Sequence, residues 1–316
     1  NRRKMMSKYS FGVDVGGTTI KMGLFDLEGN VLDKWEIKTR TENGGVNVLP
    51  DIAEAIKAKI SEKSIAKEDV VGVGIGVPGP VDDKGVVYKC VNLGWGVLNI
   101  NEELGRLLDM PVKGGNDAKV AALGEMWKGG GQGFESIVVV TLGTGVGGGI
   151  IMNGKILTGA KGAAGEIGHI HVDDDEKDVC GCGNTGCLEQ FASATGVVRL
   201  ANRALASTDK KTVLKVGEVS AKDVWDAVKA GDEVAIEIAE EFGQYLGKGL
   251  AAVACVINPE AFVIGGGVSK AGTILLDYIR KNYTPYVFHA SRDVQFTLAT
   301  LGNDAGIYGA AKLVLD

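Results

Sequence analysis

Three cysteines and two histidines in the segment 165–189, GEIGHIHVDDDEKDVCGCGNTGCLE, have the residue types of a metal site. Cys180, Cys182 and Cys187 are spaced as C-x-C-x4-C, and both histidines lie upstream of them. Thiolate sulfur and imidazole nitrogen suit Zn²⁺, and three cysteines with one histidine make a closed tetrahedral site. The alternative is a glycine-rich loop of free or disulfide-bonded cysteines. A disulfide within C-x-C is strained and would leave an odd thiol, so the spacing favours zinc.

The histidine ligand of this site is either His169 or His171. The residues EIGHIHV are predicted to be extended, and side chains two positions apart in an extended segment point to the same side. Geometry therefore does not choose between the two imidazoles.

Gly181, Gly183 and Gly186 lie between the sulfurs, where a chain bending tightly around an ion often needs positive φ.

Three glycine-rich turns have the composition of anion-binding loops: Gly16-Gly17-Thr18, Gly143-Thr144-Gly145 and Gly265-Gly266-Gly267. Backbone N–H groups in such turns converge on anions, and the missing Cβ lets phosphate come close. Each turn alone is a weak signal, because most glycine turns are only turns. A nicotinamide-dinucleotide fingerprint is excluded for residues 143–148, because it requires a helix directly afterwards and a strand-like segment follows here.

The pair Asn116-Asp117 is the candidate catalytic site. A hydroxyl group is a poor nucleophile at neutral pH, and a positioned carboxylate can accept its proton as it attacks an electrophile. The alternative role is structural, because Asn-Asp before an apolar helix pattern is a good N-cap pair. The residues by themselves favour capping.

The predicted elements place these residues in the connections between strands and helices. Three strands, 9–16, 19–26 and 31–38, are expected to form an antiparallel meander. The segments 13–18 and 140–145 each place a polar glycine turn between two strands, which indicates a duplicated strand–turn–strand unit. The other predicted strands are 70–77, 137–142, 148–152 and 261–264, and the predicted helices are 48–63, a helix directly after residue 117, 233–256 and 305–314.

The composition is that of an ordinary globular chain, with 316 residues, 45% hydrophobic and 23% charged. That length is enough for two domains with separate cores. The net charge of −6 argues against a nucleic-acid partner. We see no secretion signal, and the longest apolar run, residues 137–152, is too short to span a bilayer. We therefore expect no membrane partner and a cytoplasmic location, which suits thiolate ligands.

The two remaining cysteines, Cys90 and Cys255, stand alone in apolar surroundings. We expect both to be core residues rather than nucleophiles. The charged run 173–178 is expected to be a solvated loop. The basic start at residues 1–4 is assigned no function.

At residues 166–169 and 180–189 the sequence resembles the ROK family of sugar kinases and sugar-responsive repressors. The family's hallmark is Glu-x-Gly-His followed by Cys-x-Cys-Gly-x-x-Gly-Cys-x-Glu, and the chain matches both parts in full. The resemblance covers nearly the whole chain, and Asn92-Leu93-Gly94-Trp95 is similar to a segment of the glucokinase branch. It implies His169 as the zinc ligand and leaves His171 as a neighbour.

The resemblance also implies the fold, an α/β fold of the actin-like, hexokinase-like ATPase type. Two α/β domains then face each other across a cleft, and a small loop binds zinc. The small N-terminal domain is expected at 1–115 plus about 303–316, because the family's terminal helix packs back onto the first domain. The large domain is expected at 116–302 and carries the zinc loop, 165–189.

A sugar site follows from the same resemblance, with Asp117 as the general base and Asn116 as a ligand of a sugar hydroxyl. This reverses the preference for capping. Carboxylates and amides bind vicinal hydroxyls at fixed angles. Zinc would then be structural, tying the loop that bears Glu189 to the predicted strand that bears Glu166. The pocket would be completed by Gly79, Glu166, His169 and Glu189.

The resemblance further implies an ATP site, in which the first two glycine turns embrace the phosphates and the third lines the adenosine. Asp14 would be the Mg²⁺ partner, directly or through water. For Lys21, which matches the family's pattern, the alternative is a solvated strand residue. The expected ATP-binding residues are Asp14, Gly16, Gly17, Thr18, Thr19, Lys21, Gly143, Thr144, Gly145, Val146, Gly147, Gly148, Gly149, Gly265, Gly266 and Gly267.

The implied activity is ATP-dependent phosphorylation of glucose to glucose 6-phosphate, with ATP, Mg²⁺ and structural Zn²⁺. Alternatives are a kinase for mannose, fructose or an N-acylhexosamine such as N-acetylmannosamine, and a sugar-sensing regulator without kinase activity. Repressors of this family carry a helix-turn-helix module before the first strand. Ten residues precede Phe11, so we expect an enzyme. We also expect a homodimer or a dimer of dimers.

Overall fold

A computed structural model describes residues 8–316, and the basic start lies outside the described residues. The strands of the described part are β1 (Tyr9–Val15), β2 (Thr19–Asp26), β3 (Val31–Lys38), β4 (Val70–Val77), β5 (Val86–Val87), β6 (Leu98–Asn99), β7 (Val112–Asn116), β8 (Ile137–Leu142), β9 (Val146–Met152), β10 (Lys155–Ile156), β11 (Ala261–Gly265) and β12 (Gln295–Leu298). Its helices are α1 (Glu42–Gly45), α2 (Val48–Glu62), α3 (Ile100–Leu108), α4 (Asp117–Lys128), α5 (Glu189–Ala192), α6 (Ala194–Ser207), α7 (Ala221–Lys229), α8 (Glu233–Ile257), α9 (Thr273–Tyr283) and α10 (Ala305–Leu315).

The first sheet has the order β3-β2-β1-β4-β7. Its first three strands form the predicted antiparallel meander, and β1, β4 and β7 run parallel. The strand β4, VVGVGIGV, is almost continuously buried, as expected for a strand covered on both faces. The edge strand β3, VLDKWEIK, alternates between half-buried and exposed residues, which is the pattern of a strand with one solvated face.

The second sheet repeats this order as β10-β9-β8-β11-β12. The strands β8, β11 and β12 run parallel, like β1, β4 and β7 in the first sheet. In both sheets a glycine turn joins the central strand to its neighbour, at residues 16–18 and 143–145. The predicted α/β class and the duplicated strand–turn–strand unit are therefore confirmed.

The chain divides into two compact units. Of the described residues, the first comprises 8–133, 149–165 and 301–316, and the second comprises 134–148 and 166–300. The C-terminal helix α10 groups with the first unit. Contacts group α4 with the first unit. The domain bounds expected at 1–115 plus about 303–316 and at 116–302 stay a prediction.

Glycines let α10 lie directly on the first sheet and on α4. A Cβ at Gly74 would lie 1.7 Å from the Ala310 carbonyl oxygen, and one at Gly12 would lie 2.0 Å from that of Ile307. A Cβ at Gly309 of α10 would lie 1.6 Å from the Val120 oxygen of α4. These approaches exclude any side chain, so the packing of α10 depends on glycine at each position.

The expectation that Cys90 and Cys255 are core residues has a different outcome for each cysteine. Cys90 is buried in the core of the first unit, as predicted. The core prediction for Cys255 is wrong, because this residue lies on the exposed side of α8, between buried Ala254 and exposed Val256. Among the described residues, no helix is long and apolar enough to cross a membrane.

Candidate functional site

In the first unit the candidate residues gather at the carboxyl ends of the parallel strands. Asp14 of β1 is in register with Gly76 of β4, and Val77 is in register with Asn116 of β7. The connections that leave this edge carry Gly79 and begin α4. The carboxyl edge of a parallel sheet is where α/β folds bind ligands, because several loops converge there.

The Asn116 side chain both caps α4 and holds a neighbouring loop. Its Oδ1 accepts a hydrogen bond from the Lys119 N–H at 3.2 Å, so the capping prediction is confirmed. Its Nδ2 donates to the Gly79 carbonyl oxygen and to Asp117 Oδ1, both at 3.0 Å. Gly79 has φ +95, and a Cβ there would lie 2.7 Å from the Lys89 oxygen, so the loop needs glycine at this position.

Two carboxylates of the first unit are desolvated. Burial raises the pKa of Asp14 to about 6, the nearby Asp117 charge adds to the increase, and Lys21 opposes it. Burial also raises the pKa of Asp117, while hydrogen bonds from the Ala118 N–H and from Asn116 lower it. Partly buried carboxylates with a second carboxylate nearby are a common feature of catalytic and cation-binding sites.

The turn at residues 16–19 is exposed at the end of β1. The Gly16 N–H donates to the Thr19 oxygen at 3.0 Å, and the Thr39 hydroxyl donates to the Gly16 oxygen at 2.7 Å. Lys21 is in register with Asp14, and its ammonium donates to the Asn303 oxygen at 3.2 Å.

In the second unit, His169, Cys180, Cys182 and Cys187 bring their ligand atoms within 4.8 Å of one another. The Cys182 and Cys187 sulfurs are 3.6 Å apart, and the Cys180 sulfur is 3.8 Å from His169 Nδ1. Ligands at ~2.0–2.3 Å from one tetrahedral zinc ion lie ~3.5–3.8 Å from each other, so the group fits Zn²⁺. Burial raises the pKa of Cys180 to about 12, so a thiolate there needs a cation beside it.

The second histidine lies outside this group. His171 Nδ1 is 2.9 Å from the Thr185 oxygen, and its Nε2 is 2.8 Å from Asp174 Oδ1. The predicted extended segment is wrong here, because Ile167–His169 forms a 3-10 turn and Glu166 precedes that turn rather than lying on a strand. The turn removes the period-two alternation, so the two imidazoles take different partners.

The chain bends between the cysteines with positive φ at Gly183 (+94) and Gly186 (+71), as predicted. Gly181 does not share this conformation, so its predicted positive φ is wrong. A Cβ at Gly186 would lie 2.0 Å from the Asp173 oxygen. Glycine at this position therefore lets the cysteine loop approach the chain that follows the histidines.

Glu189 connects the metal group to a glycine turn. Its Oε1 is 3.0 Å from the Cys180 sulfur, and its Oε2 accepts from the Val146 N–H at 3.4 Å. A Cβ at Gly145 would lie 2.5 Å from Oε2, so a side chain there would displace the Glu189 carboxylate. Glu166 is exposed, beside the 3-10 turn that carries His169.

Two glycine turns of the second unit lie next to each other. Gly265 of β11 is in register with Thr141 of β8, and the strands end together. Gly266 has φ +83, and a Cβ there would lie 2.5 Å from the Leu142 oxygen. Gly149, the last residue of the predicted phosphate segment, has a different environment. It belongs to the first unit and is buried against α4, where a Cβ at Gly149 would lie 2.3 Å from Ala122 Cβ.

The charged run 173–178 is only partly solvated, so that expectation is wrong for Glu176. Its side chain is 2% exposed and forms ion pairs with Arg199 at 2.6 Å and Arg203 at 3.1 Å. These hydrogen bonds lower the pKa of Glu176 to about 2. Both arginines lie on α6, so the run is anchored from a distant part of the chain.

Sequence reasoning also missed the brace formed by Gln190. Its Oε1 accepts from the Cys187 N–H at 2.9 Å, and its Nε2 donates to the Asp178 oxygen at 2.8 Å. Arg199 donates to the Gln190 oxygen at 3.3 Å. The position directly after Glu189 was the available signal, because a neighbour of a binding residue is well placed to orient it.

Comparison with known proteins places the chain among sugar kinases. A model of the ROK family matches residues 10–316. A glucokinase from Halalkalibacterium halodurans is 44% identical, over 98% of this chain and 96% of its own length. A ROK family glucokinase from Streptomyces griseus, crystallised with glucose and AMPPNP, has a TM-score of 0.68 at 36% identity and covers 96% of this chain and 98% of its own. A ROK hexokinase from Thermus thermophilus has a TM-score of 0.77 at 33% identity, over 97% of each chain.

Proposed function

Since this chain belongs to the ROK family, we propose that it is a glucose kinase, which transfers the γ-phosphoryl group of ATP to glucose and forms glucose 6-phosphate. Three kinds of similarity support the proposal: a family model over nearly the whole chain, a glucokinase at 44% identity, and a glucokinase structure with glucose and AMPPNP. The observation that carries it is the desolvated Asp117 at the start of α4, beside Asn116 and within electrostatic reach of Asp14.

Asp117 is the general base of this proposal. Its carboxylate accepts the proton of the attacking hydroxyl while that oxygen forms a bond to the γ-phosphorus and ADP leaves. The raised pKa makes Asp117 a better proton acceptor than an exposed carboxylate. The Asn116 amide and the Ala118 N–H hold the carboxylate by hydrogen bonds, so its orientation is fixed before the sugar binds.

The sugar contacts of the proposal are Gly79, Asn116, Glu166, His169 and Glu189, in addition to Asp117. Glu189 and His169 are supported by the metal group, because Glu189 lies against Cys180 and His169 belongs to the group itself. Zn²⁺ would be held by His169 and the three cysteines and would supply structural rigidity. The residues it orders then present fixed donors and acceptors to the sugar.

The nucleotide would be bound by the glycine turns. Their N–H groups converge on phosphate oxygens, and the turns at 143–145 and 265–267 lie at the same edge of their sheet. Mg²⁺ bound with ATP supplies charge neutralisation at the phosphates. Asp14 would hold this ion directly or through water, which requires the carboxylate to be ionised. Lys21, in register with Asp14, lowers its pKa and so favours that form.

A coupled ADP-release assay with Mg-ATP and a panel of sugars tests the proposal. We expect glucose to give the highest kcat/KM, with mannose, fructose and the N-acetylhexosamines well behind, because a site that hydrogen-bonds a hydroxyl loses those bonds when the hydroxyl moves. A highest value with N-acetylmannosamine would keep the kinase and reject glucose as its substrate. Glucose binding without ADP release from any sugar would support a sugar sensor instead.

A further inference from the structure

A buried lysine lies in the first turn of the helix that carries Asp117. Lys119 is 3% exposed, and its ammonium donates hydrogen bonds to the Gly162 oxygen at 2.5 Å and to the Thr158 oxygen at 3.2 Å. A buried ammonium is costly unless such acceptors compensate its lost hydration. Lys119 therefore fixes the turn 158–162. Both the lysine and the turn belong to the first unit.

The turn 158–162 supports the loop that contains Gly79. Gly162 has φ +73, and a Cβ there would lie 2.9 Å from the Val81 oxygen and 3.1 Å from its nitrogen. Val81 is 1% exposed and follows Gly79 by two residues. The contact between Gly162 and Val81 is thus backbone against backbone, and it transmits the position of the turn to the loop.

The loop is also held from the other side. Asn116 donates to the Gly79 oxygen at 3.0 Å. Asn116 and Lys119 are three positions apart, so they lie on neighbouring parts of the first turn of α4. The first turn of α4 therefore holds the Gly79 loop in two ways. Asn116 bonds to Gly79 directly. Lys119 bonds to Gly162, which packs against Val81 of the same loop.

We infer that Lys119 is a positioning residue for sugar phosphorylation. Its ammonium fixes the turn 158–162 and, through Val81, the Gly79 loop relative to Asn116 and Asp117. This inference rests on the proposed function, because it takes Gly79, Asn116 and Asp117 as the sugar side of the site. The hydrogen bonds of the Lys119 ammonium to Gly162 and Thr158 lie on the sugar side of the proposed site, so we expect a larger effect on the sugar than on ATP.

The test is a steady-state comparison of Lys119→Met with the wild type. Methionine keeps much of the volume and removes the charge. We expect kcat/KM for glucose to fall about 10- to 100-fold, mainly through a higher KM for glucose, because small displacements of positioning groups are costly. The KM for ATP should stay within about twofold.

Gly162→Ala is the second variant, and it keeps the ammonium. Its Cβ would separate the turn from Val81, so the same selective rise in the KM for glucose is expected. Lys155→Met is the matched control. Lys155 is an exposed lysine that lines, together with Lys119, a cavity of about 290 Å³ beside α4. It should match the wild type in both KM values.

Melting temperatures separate positioning from stability. A Lys119→Met protein that melts earlier but has wild-type kinetic parameters well below its melting point would overturn the inference. If that variant does not fold, an unchanged KM for glucose in Gly162→Ala overturns it. A wild type that releases no ADP with glucose refutes the proposed function, and the inference with it. An active wild type with an equally active Lys119→Met refutes the inference alone.

Discussion

At the residue scale, the surroundings of Asp117 combine two opposing influences. Burial disfavours its charge and raises its pKa, whereas hydrogen bonds from Ala118 and Asn116 stabilise the charged form. The raised pKa makes the carboxylate a better proton acceptor than an exposed one, and the hydrogen bonds hold it in place. The cap of α4 is its neighbour Asn116, which accepts from the Lys119 N–H.

Asp117→Asn should therefore fold normally, bind glucose, and lose about 10²–10⁴-fold in kcat, because it removes only the proton acceptor. Glucose binding by calorimetry and ADP release by a coupled assay check both parts. Asp51→Asn, which changes an acidic residue in the first turn of α2, is the control and should leave kcat unchanged. Near wild-type turnover in Asp117→Asn would return the Asn-Asp pair to a capping role.

A second prediction concerns the cost of the buried Asp14. Its pKa of about 6 in the folded protein lies above the ordinary 3.8, so its ionised form destabilises the fold above pH 6. Asp14→Asn should raise the free energy of unfolding at pH 7.5 by about 1–2 kcal/mol, after allowance for partial solvent screening. The gain should shrink as pH falls through 6 and vanish below 3.8.

Denaturant unfolding at pH 7.5 and at low pH, without nucleotide, measures this effect. Asp33→Asn is a control of opposite sign, because Lys63 and Lys59 lower the pKa of Asp33 to about 2. That variant should be less stable than the wild type at pH 7.5. An Asp14→Asn protein that is also less stable there would show that Asp14 supports the fold instead of opposing it.

At the element scale, the cysteine loop is held in two ways. One is the metal group, and the other is the set of hydrogen bonds that Gln190, Arg199 and Glu176 form around it. The second set does not depend on zinc, so loss of the metal should loosen the loop locally and leave the rest of the second unit folded.

Cys187→Ala should bind far less zinc than the wild type, which should contain about one ion per chain after chelator washing. The KM for glucose should rise, because Glu189 and His169 lose their support. Elemental analysis and kinetics are the measurements. Cys255→Ala is a matched control, since Cys255 is exposed and lies on α8. Wild-type protein with zinc far below one per chain, still active, would contradict the prediction.

The sequence predicted elements well where local pattern decides. The helix expected at 48–63 is observed at Val48–Glu62, and β2, β3 and β4 have their predicted bounds. It failed where distant residues decide. The partners of Glu176 lie on α6, more than twenty positions along the chain, so the charged run looked solvated. The 3-10 turn at His169 orients a ligand toward cysteines that follow later, which hydrophobic periodicity does not record.

The candidate site shows the same division. The hallmark residues were enough to choose His169, which the structure places with the cysteines, although alternation alone left His171 equal to it. Lys119 has no signal of its own in the sequence, and Gln190 has only its position after Glu189, because each acts through a backbone carbonyl or N–H group. Such partners are specified by the fold and by no particular residue type.

At the scale of the whole molecule, two copies of one strand order make the two sheets, and α10 completes the first unit. Gly309→Ala should destabilise the protein by at least ~2 kcal/mol, because its Cβ would lie 1.6 Å from the Val120 oxygen. Activity should fall as well, since α4 carries Asp117. Thermal unfolding and ADP release are the measurements.

Gly105→Ala is the control for this prediction, because Gly105 lies within α3 and its Cβ would meet the Met110 oxygen at 3.4 Å, an ordinary contact. That variant should be as stable as the wild type, or more stable by about 0.5–1 kcal/mol, from the helix propensity of alanine. Equal stability of the two alanine variants would contradict the close packing of α10 on α4.

The place of α10 in the chain also bears on how the protein is made. The ribosome synthesises residues 8–133 long before residues 305–315. The strands β1, β4 and β7 and the helix α4 of that early segment nevertheless pack against α10. The early segment contains the main hydrophobic core of its unit, at residues 11–108, but the part of its sheet that α10 covers stays open until α10 emerges. An interrupted translation product would therefore contain Asp14 and Asp117 without the support of α10, and the glycines at positions 12 and 74 would face solvent instead of that helix.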